Sequence, residues 1–334
     1  MIQELGTGGA ERIVVTLARG AQDAGHEVAV VAAPEPLAAE LEVERFDLPF
    51  LKRRPWRVPG AARAVRKAFR AWRPDLVHAH NPGVAAAVGL ATRRLPSLVS
   101  VHGVPEEDWP AAVRVLRLSG LPAVACGPGV AAALAEHGLE PLATIPNAVG
   151  PAPEPADPLV EGPLVLSVGR LVESKNHELA IEALAEVPQA VLAIAGDGPL
   201  RADLVAAAER AGVADRVLLL GERRDARALM GAADAVVLTS RAEGLPLVAL
   251  EALASGTPLV ATSVRGLREL VTDGENALVV PPDDAQALAG ALRRVLEDRV
   301  LAARLGEAGR RVPGAGSEDE LISSFLALYE KLVA

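Results

Sequence analysis

The stretch DAVVLTSRAEGLPLVALEALASG, residues 234–256, decides how the rest of the chain is read. Ala235–Leu238 is a short run of apolar residues, as in a buried strand. Glu243-Gly244-Leu245-Pro246 turns the chain, and Leu247–Ser255 has the pattern of a helix. Pro246 sits where a fixed φ and a missing N–H suit a helix opening. One carboxylate, Glu243, falls in the turn and a second, Glu251, in the helix behind it, so both can face one ligand. Backbone N–H groups around Gly244, Leu245 and Leu247 at that opening would favour phosphate. Carboxylates suit sugar and ribose hydroxyls, whose hydrogen bonds they accept. A loop glutamate and a surface helix glutamate are the plainer reading. Against it, Glu251 lies among Leu250, Ala252 and Leu253, an unusual setting for a surface charge.

Working outward, the same strand-then-helix text recurs. Val28–Ala32, Leu76–Ala79, Leu98–Val101, Ala123–Cys126, Leu164–Val168, Val191–Ala195, Val217–Leu220 and Pro258–Ala261 read as further strands. Helical patterns lie at Glu11–Ala24, Gly60–Trp72, Val130–His137, His177–Glu186, Leu200–Ala211 and Ala285–Glu297. Such alternation predicts an α/β fold with parallel sheets and right-handed crossovers. It breaks at residues 150–163, where five prolines predict a stiff, extended linker. The chain therefore reads as an N-terminal domain (1–149), a linker (150–163) and a C-terminal domain (164–312). Two doubly wound, Rossmann-like sheets would face each other across a cleft at the carboxyl ends of their strands. After a second break, PGAGS, a helix at about residues 318–332 would pack back on the N-terminal domain, with Ser317 as its N-cap. The first strand would be only Ile2–Leu5: either the fold tolerates a clipped strand, or a start lies upstream of Met1.

Composition sets the outer limits. The 334 residues carry 43 Asp and Glu against 34 Lys and Arg, which argues against a nucleic-acid protein. Cys126, the single cysteine, excludes an internal disulfide and any multi-cysteine metal site. No apolar run reaches the ~18 residues that span a bilayer. Residues 1–5 lead straight into glycines without a signal-peptide pattern. The expectation is a cytoplasmic protein, with peripheral contact at the inner face of a membrane left open.

Four other stretches could carry chemistry. After the strand Leu164–Val168 comes GRLVESKN, with Arg170 and Lys175 placed as a clamp for phosphate; the chain has only four lysines. Gly196, in AGDGP, ends another strand and allows close backbone approach. Near the N-terminus, Gly6-Thr7-Gly8-Gly9 feeds a helix that contains Glu11, a geometry that also suits phosphate. His78, His80 and His102 fall near strand ends. His-x-His admits a metal, but no companion Cys, His or Asp constellation follows.

Taken together, these motifs resemble glycosyltransferase family 4, retaining enzymes of GT-B architecture. The carriers are Glu243 and Glu251 in the E-x7-E pattern, embedded in SRAEGLPLVALEALASGTP, together with VGRLVESK. The resemblance covers nearly the whole chain. It implies that Glu243 holds hydroxyls of the transferred sugar and Glu251 the nucleotide ribose, with Gly244, Leu245, Pro246 and Leu247 lining the donor. Arg170 and Lys175 match the diphosphate-binding pair. Gly8 and Gly9 would approach the diphosphate, and His102 the donor sugar. Gly196 would border the nucleotide pocket and Arg223 the base, while Glu11 and His80 match acceptor-side positions. Asn147, in PNAV, stands at the family's hinge, where Ala148 replaces the usual glycine and Gly150 a frequent aspartate. In VRGLRE, Arg265 departs from the common Gly-Gly.

The implied activity is transfer of a sugar, with retention, from a UDP- or GDP-sugar to a sugar, lipid-linked or small-molecule acceptor. Neither a metal nor another cofactor is expected. Two competing readings are an epimerase or hydrolase of the same architecture, and a two-domain binding protein without catalysis.

Overall fold

A computed structural model describes the whole chain apart from residues 4, 7, 34–40, 50 and 52–54. Glu4, in the expected first strand, and Thr7, in the glycine turn, thus lie outside the described residues. The chain divides into two compact units, residues 1–147 with 318–334, and residues 148–317.

In unit 1 the order is α1 (Gly9–Asp23), β1 (Ala29–Ala32), β2 (Glu44–Asp47), α2 (Val58–Trp72), β3 (Val77–His80), α3 (Pro82–Ala91), β4 (Ser97–Val101), α4 (Trp109–Ser119), β5 (Ala123–Ala125), α5 (Pro128–Glu136) and β6 (Ala143–Thr144). Strands β1 and β2 pair in parallel, and β3-β4-β5-β6 form a second parallel sheet. Residues 1–3 join the two. Ile2 N–H donates to the Val31 carbonyl at 3.1 Å, and the Met1 carbonyl accepts from His80 N–H at 2.8 Å. Residues 1–3 thus bond to both β1 and β3, but the expected strand Ile2–Leu5 is not formed as a regular strand among the described residues.

In unit 1 the helices read from sequence leave out α3 and α4, although α4 is amphipathic, burying Trp109, Ala112, Val113 and Leu116. Helix α3 buries Val84, Ala85, Ala87 and Val88 and is apolar nearly all round, so it lacks the alternation that marks an amphipathic helix. Its start is nonetheless encoded: the Asn81 side chain accepts from Val84 N–H, and Pro82 follows at the first helical position. At Gly89 a Cβ would lie 2.1 Å from the Ser119 carbonyl, so glycine is what lets α3 approach the end of α4.

Unit 2 runs β7 (Leu164–Val168), α6 (His177–Leu184), β8 (Val191–Ala195), α7 (Arg201–Arg210), β9 (Val217–Gly221), α8 (Ala226–Ala232), β10 (Ala235–Leu238), α9 (Leu247–Ser255), β11 (Leu259–Thr262), β12 (Leu278–Val280), α10 (Ala285–Glu297) and α11 (Arg299–Gly309). One six-stranded sheet has the order β12-β11-β10-β7-β8-β9, with every pair parallel. Helix α6 packs on α7 and α10, while α9 packs on α8 and α11. This is the doubly wound arrangement, and the strand order reverses between β7 and β10. Such a switch point opens a crevice at the strands' carboxyl ends, where ligands of these folds bind.

The proline-rich stretch has no regular secondary structure but is tied to its neighbours. The Ala156 N–H donates to the Ala228 carbonyl at 3.0 Å, and an Arg227 N–H to the carbonyls of Gly150 and Pro151 at 2.7 and 2.8 Å. Val149 pairs with the returning chain, donating to Gly314 and accepting from Gly316. The last helix, α12 (Asp319–Val333), begins two residues beyond Ser317. Glu318 holds its N-cap position without a side-chain cap, because that carboxylate accepts instead from Thr16 Oγ1 on α1 at 3.3 Å. Among the described residues, no helix is long and apolar enough to cross a membrane.

Candidate active site

The two strands at the switch point of unit 2 deliver the main cluster. After β7 the chain passes through Gly169 and Arg170 into a tight 3-10 turn at Glu173–Lys175. After β10 it passes through Ser240 and Glu243 to α9, which starts at Leu247 with Pro246 in the N-cap position. Lys175 Nζ donates to Glu243 Oε1 at 2.5 Å, and Ser240 Oγ donates to the same oxygen at 2.6 Å. The cation and the carboxylate assigned from sequence to separate parts of a donor are thus hydrogen-bonded to one another. The carboxylate is well shielded and the ammonium less so, with side-chain exposures of 9% and 23%. Arg170 is exposed at the mouth of the same loop.

Backbone ties fix this geometry. Thr239 Oγ1 donates to the Lys175 carbonyl at 2.9 Å, and Arg241 N–H donates to the Ser174 carbonyl at 2.9 Å. Asp283 accepts from Asn176 Nδ2 and from Arg241 Nε, both at 2.9 Å, linking the two loops. Sequence reading missed His177, which is buried between Ser167 Oγ (2.9 Å from Nδ1) and the Arg170 carbonyl (3.2 Å from Nε2). Burial lowers its pKa to about 4, so a neutral ring holds the Arg170 loop in place at pH 7. Gly196 is tightly constrained, since a Cβ there would lie 1.9 Å from the Gly169 carbonyl. A second loop leans on the Glu243 turn: a Cβ at Gly266 would meet the Gly244 carbonyl at 2.1 Å. Arg265, which precedes that glycine, is half-buried, whereas Arg268 folds back on Ser263.

Glu251 is buried in α9, with Arg227 Nε 3.7 Å from its Oε1. That Nε is itself buried and makes no hydrogen bond. Arg227 has no motif around it in the sequence and emerges only from the fold. Arg223 forms a bidentate pair with Asp225, at 2.7 and 2.5 Å, so its guanidinium is already engaged.

Unit 1 has its own cluster at the ends of β3 and β4. His80 Nδ1 and His102 Nε2 share a hydrogen bond at 2.8 Å, and their rings stack 5.2 Å apart. His78 lies between Tyr329 OH on α12, at 2.7 Å, and Ser100 Oγ, at 2.8 Å. Burial depresses all three imidazoles, His102 to about 4. His102 Nδ1 is buried without a hydrogen-bond partner. Gly8 and Gly9 open α1, and the Glu11 carboxylate folds back over Gly8, where a Cβ would lie 2.4 Å from Oε2. Asn147 is buried, its N–H donating to the Cys126 carbonyl at 2.9 Å.

Comparison with known proteins follows this division into two units. Residues 7–152 match the model of Glycosyltransferase Family 4, and residues 155–312 that of Glycosyl transferases group 1. The lipopolysaccharide core biosynthesis glycosyltransferase LpsE of Rhizobium meliloti is 37% identical over 173 residues, 52% of this chain and 51% of that protein. Glycogen synthase of Mycobacterium tuberculosis is 32% identical over 268 residues, 72% of this chain and 65% of that protein. The matched region thus spans half to two-thirds of these relatives. Two solved structures share the fold. Sucrose-phosphate synthase of Thermosynechococcus elongatus has a TM-score of 0.86 at 24% identity, covering 97% of this chain and 94% of its own. Anabaena HepE in complex with UDP-glucose has a TM-score of 0.84 at 21% identity, covering 99% and 98%. With a family model matched to each half and two parallel-sheet units of GT-B type, the chain belongs to glycosyltransferase family 4, the group 1 glycosyl transferases.

Proposed function

We propose that the protein transfers a sugar from a UDP- or GDP-sugar to a hydroxyl of a saccharide, lipid-linked or small-molecule acceptor, with retention at the anomeric carbon. The observation that carries this reading is the Lys175–Glu243 pair at the switch point of the unit 2 sheet. In it, Glu243 is held by Lys175 and Ser240, and its carboxylate can accept hydrogen bonds from the sugar hydroxyls. Lys175 and Arg170 offer positive charge to the departing diphosphate, which becomes more anionic as the anomeric C–O bond breaks. Glu251 receives the ribose hydroxyls, and the opening of α9 faces the phosphates. By the family resemblance, this reading assigns His102 to the donor sugar and Glu11 and His80 to the acceptor.

In the proposed step the bond from the anomeric carbon to the phosphate oxygen breaks. The acceptor oxygen bonds to that carbon on the same face, and its proton passes to the leaving phosphate. No covalent enzyme nucleophile is invoked. The relationship to LpsE makes a cell-envelope glycan the first acceptor class to test. HepE holds UDP-glucose, which makes that the first donor to test.

The deciding experiment follows a panel of sugar-labelled UDP- and GDP-sugars with and without saccharide acceptors. Label in a glycosidic product, formed only with acceptor and with the donor's anomeric configuration by NMR, supports the proposal. Release of free sugar or a changed sugar nucleotide without acceptor would assign a hydrolase or an epimerase. Tight donor binding with no turnover across all acceptors would assign a binding protein.

A further inference from the structure

Sheet register brings two buried imidazoles of unit 1 into direct contact. Alternate residues of a strand share a face, so His78 and His80 of β3 lie on the same side of the sheet. His80 stands opposite Ser100 in the pairing of β3 with β4, and His102 follows Ser100 by two residues. The two rings therefore meet at the carboxyl ends of these strands, where parallel sheets bind ligands. They lie nearly parallel, 9° apart, with Nδ1 of His80 at 2.8 Å from Nε2 of His102. His80 is held from behind as well. The His78 ring lies against it with centroids 4.0 Å apart, and His78 is itself fixed between Tyr329 and Ser100.

Burial keeps both rings neutral at pH 7. A neutral imidazole has one N–H and one bare nitrogen. The bond between the rings therefore has two forms. In the first, His80 Nδ1–H donates, and His102 carries its own proton on Nδ1. In the second, His102 Nε2–H donates to a bare Nδ1 on His80, and Nδ1 of His102 is a lone pair. That Nδ1 is shielded from water and makes no hydrogen bond among the described residues. The first form leaves a buried N–H without an acceptor, whereas the second leaves only an acceptor unused. Folded backbones show which is tolerated better, since orphaned N–H groups are rarer than under-used carbonyls. The second form is the favoured one.

We propose that His80 is a positioning residue that holds His102 in the Nε2–H tautomer, so that Nδ1 accepts a hydrogen bond from a hydroxyl of the bound sugar. The bond made by one ring nitrogen sets what the other can do. This inference rests on the proposed contact of His102 with the donor sugar, and it gives His80 a role through His102 rather than toward the acceptor. It also sets a requirement on the substrate. The sugar group that meets His102 must offer a proton, which a hydroxyl does and a fluorine at the same carbon does not.

Long-range proton–nitrogen correlation NMR of the full chain at pH 7 reads the tautomer without any ligand. The parent should show His102 protonated on Nε2 alone. His80→Leu removes the acceptor and should give a mixture of tautomers. His80→Asn, whose carbonyl can stand in for Nδ1, should restore the single form. Thermal unfolding checks that each variant is folded, and His80→Gln replaces the Leu variant if it is not. The second arm measures binding of deoxy and deoxyfluoro analogues of UDP-glucose, or of whichever UDP- or GDP-sugar binds. At one carbon of the sugar both replacements should weaken binding to the parent by roughly 10-fold. In His80→Leu the penalty for fluorine should shrink to about 3-fold or less, and His80→Asn should keep it. A parent with His102 protonated on Nδ1, or a folded His80→Leu with the parent's single tautomer, would overturn the proposal. So would fluorine analogues that bind as well as the parent sugar at every carbon. Absence of any sugar-nucleotide binding would instead overturn the transferase reading and the sugar contact with it, while the NMR arm still decides whether His80 sets the tautomer.

Discussion

The cluster at the switch point of unit 2 is made of charges, and the cluster at the ends of β3 and β4 in unit 1 is made of neutral rings. Lys175 and Arg227 are partly exposed, while Glu243 and Glu251 are largely shielded, so each carboxylate is offset by a cation that water still reaches in part. His78, His80 and His102 are buried against one another, where a proton on any of them is disfavoured. The difference shows where each cluster's order comes from. Coulomb attraction and charged hydrogen bonds hold the first. Packing, ring stacking and hydroxyl partners from β4 and α12 hold the second.

The sharpest way to break this comparison is to remove its strongest ionic contact. Lys175→Ala should lower kcat/KM for transfer by ~100-fold or more, because it deletes a diphosphate cation and leaves Glu243 with one charged partner fewer. Combined with Glu243→Gln it should cost less than the sum of the two, since the groups act as a pair. Steady-state kinetics on the single and double variants read both effects. Additive losses would mean that the 2.5 Å contact is incidental to turnover.

Acid should separate the units next. The sign follows from the depressed histidine pKa values. Between about pH 6.5, where unfolded histidine titrates, and about 4, where folded His102 and His177 do, the unfolded chain binds more protons. Stability is therefore retained above that window and lost as the pH falls through it. Each such histidine costs ~1.4 kcal/mol per pH unit inside the window. Unit 1 holds three of them and unit 2 only His177, so unit 1 should open first. Hydrogen exchange followed from pH 7 to pH 4.5 distinguishes the units, and earlier opening of 164–309 would contradict the assignment.

A smaller effect concerns Arg227, whose guanidinium joins Glu251 to the carbonyls of Gly150 and Pro151. Arg227→Met should reduce discrimination between a ribonucleotide donor and its 2′-deoxy analogue by roughly 5-fold, the size of a partly exposed ion pair. Isothermal titration with both ligands measures it, with Glu251→Gln as the reference for full loss. The mildest change is Tyr329→Phe, which removes the hydroxyl partner of His78. It should lower unfolding stability by ~1 kcal/mol without altering donor affinity. A changed donor Kd would mean that the ring cluster reaches further than its hydrogen bonds suggest.

Much of the fold was legible because it repeats one local pattern. The bounds of β7, β8, β10, α9 and α10 agree with those read from apolar runs between turn residues. Some of what escaped lacked that contrast, whereas α4 and α11 were missed although each has a buried apolar side and an exposed basic one. Helix α3 is apolar on nearly every side, and β2, reading ERFD, is mostly exposed and polar. Strand β6 has only two residues, set by its pairing with β5 rather than by its own text.

For the site, the sequence by itself determined which residue types stand at which strand ends: Arg170 and Lys175 after one strand, Glu243 before a helix, His80 and His102 after two others. Local chemistry suffices there, since a glycine turn, a proline or a buried run acts over a few residues. Only the tertiary structure decided who meets whom. Lys175 and Glu243 are 68 positions apart and His78 and Tyr329 are 251 apart, distances over which no periodicity carries information. Sheet order places those strand ends side by side, and the returning helix α12 brings the tyrosine. The pairing of charges and rings is a property of topology, and one-dimensional text records only its ingredients.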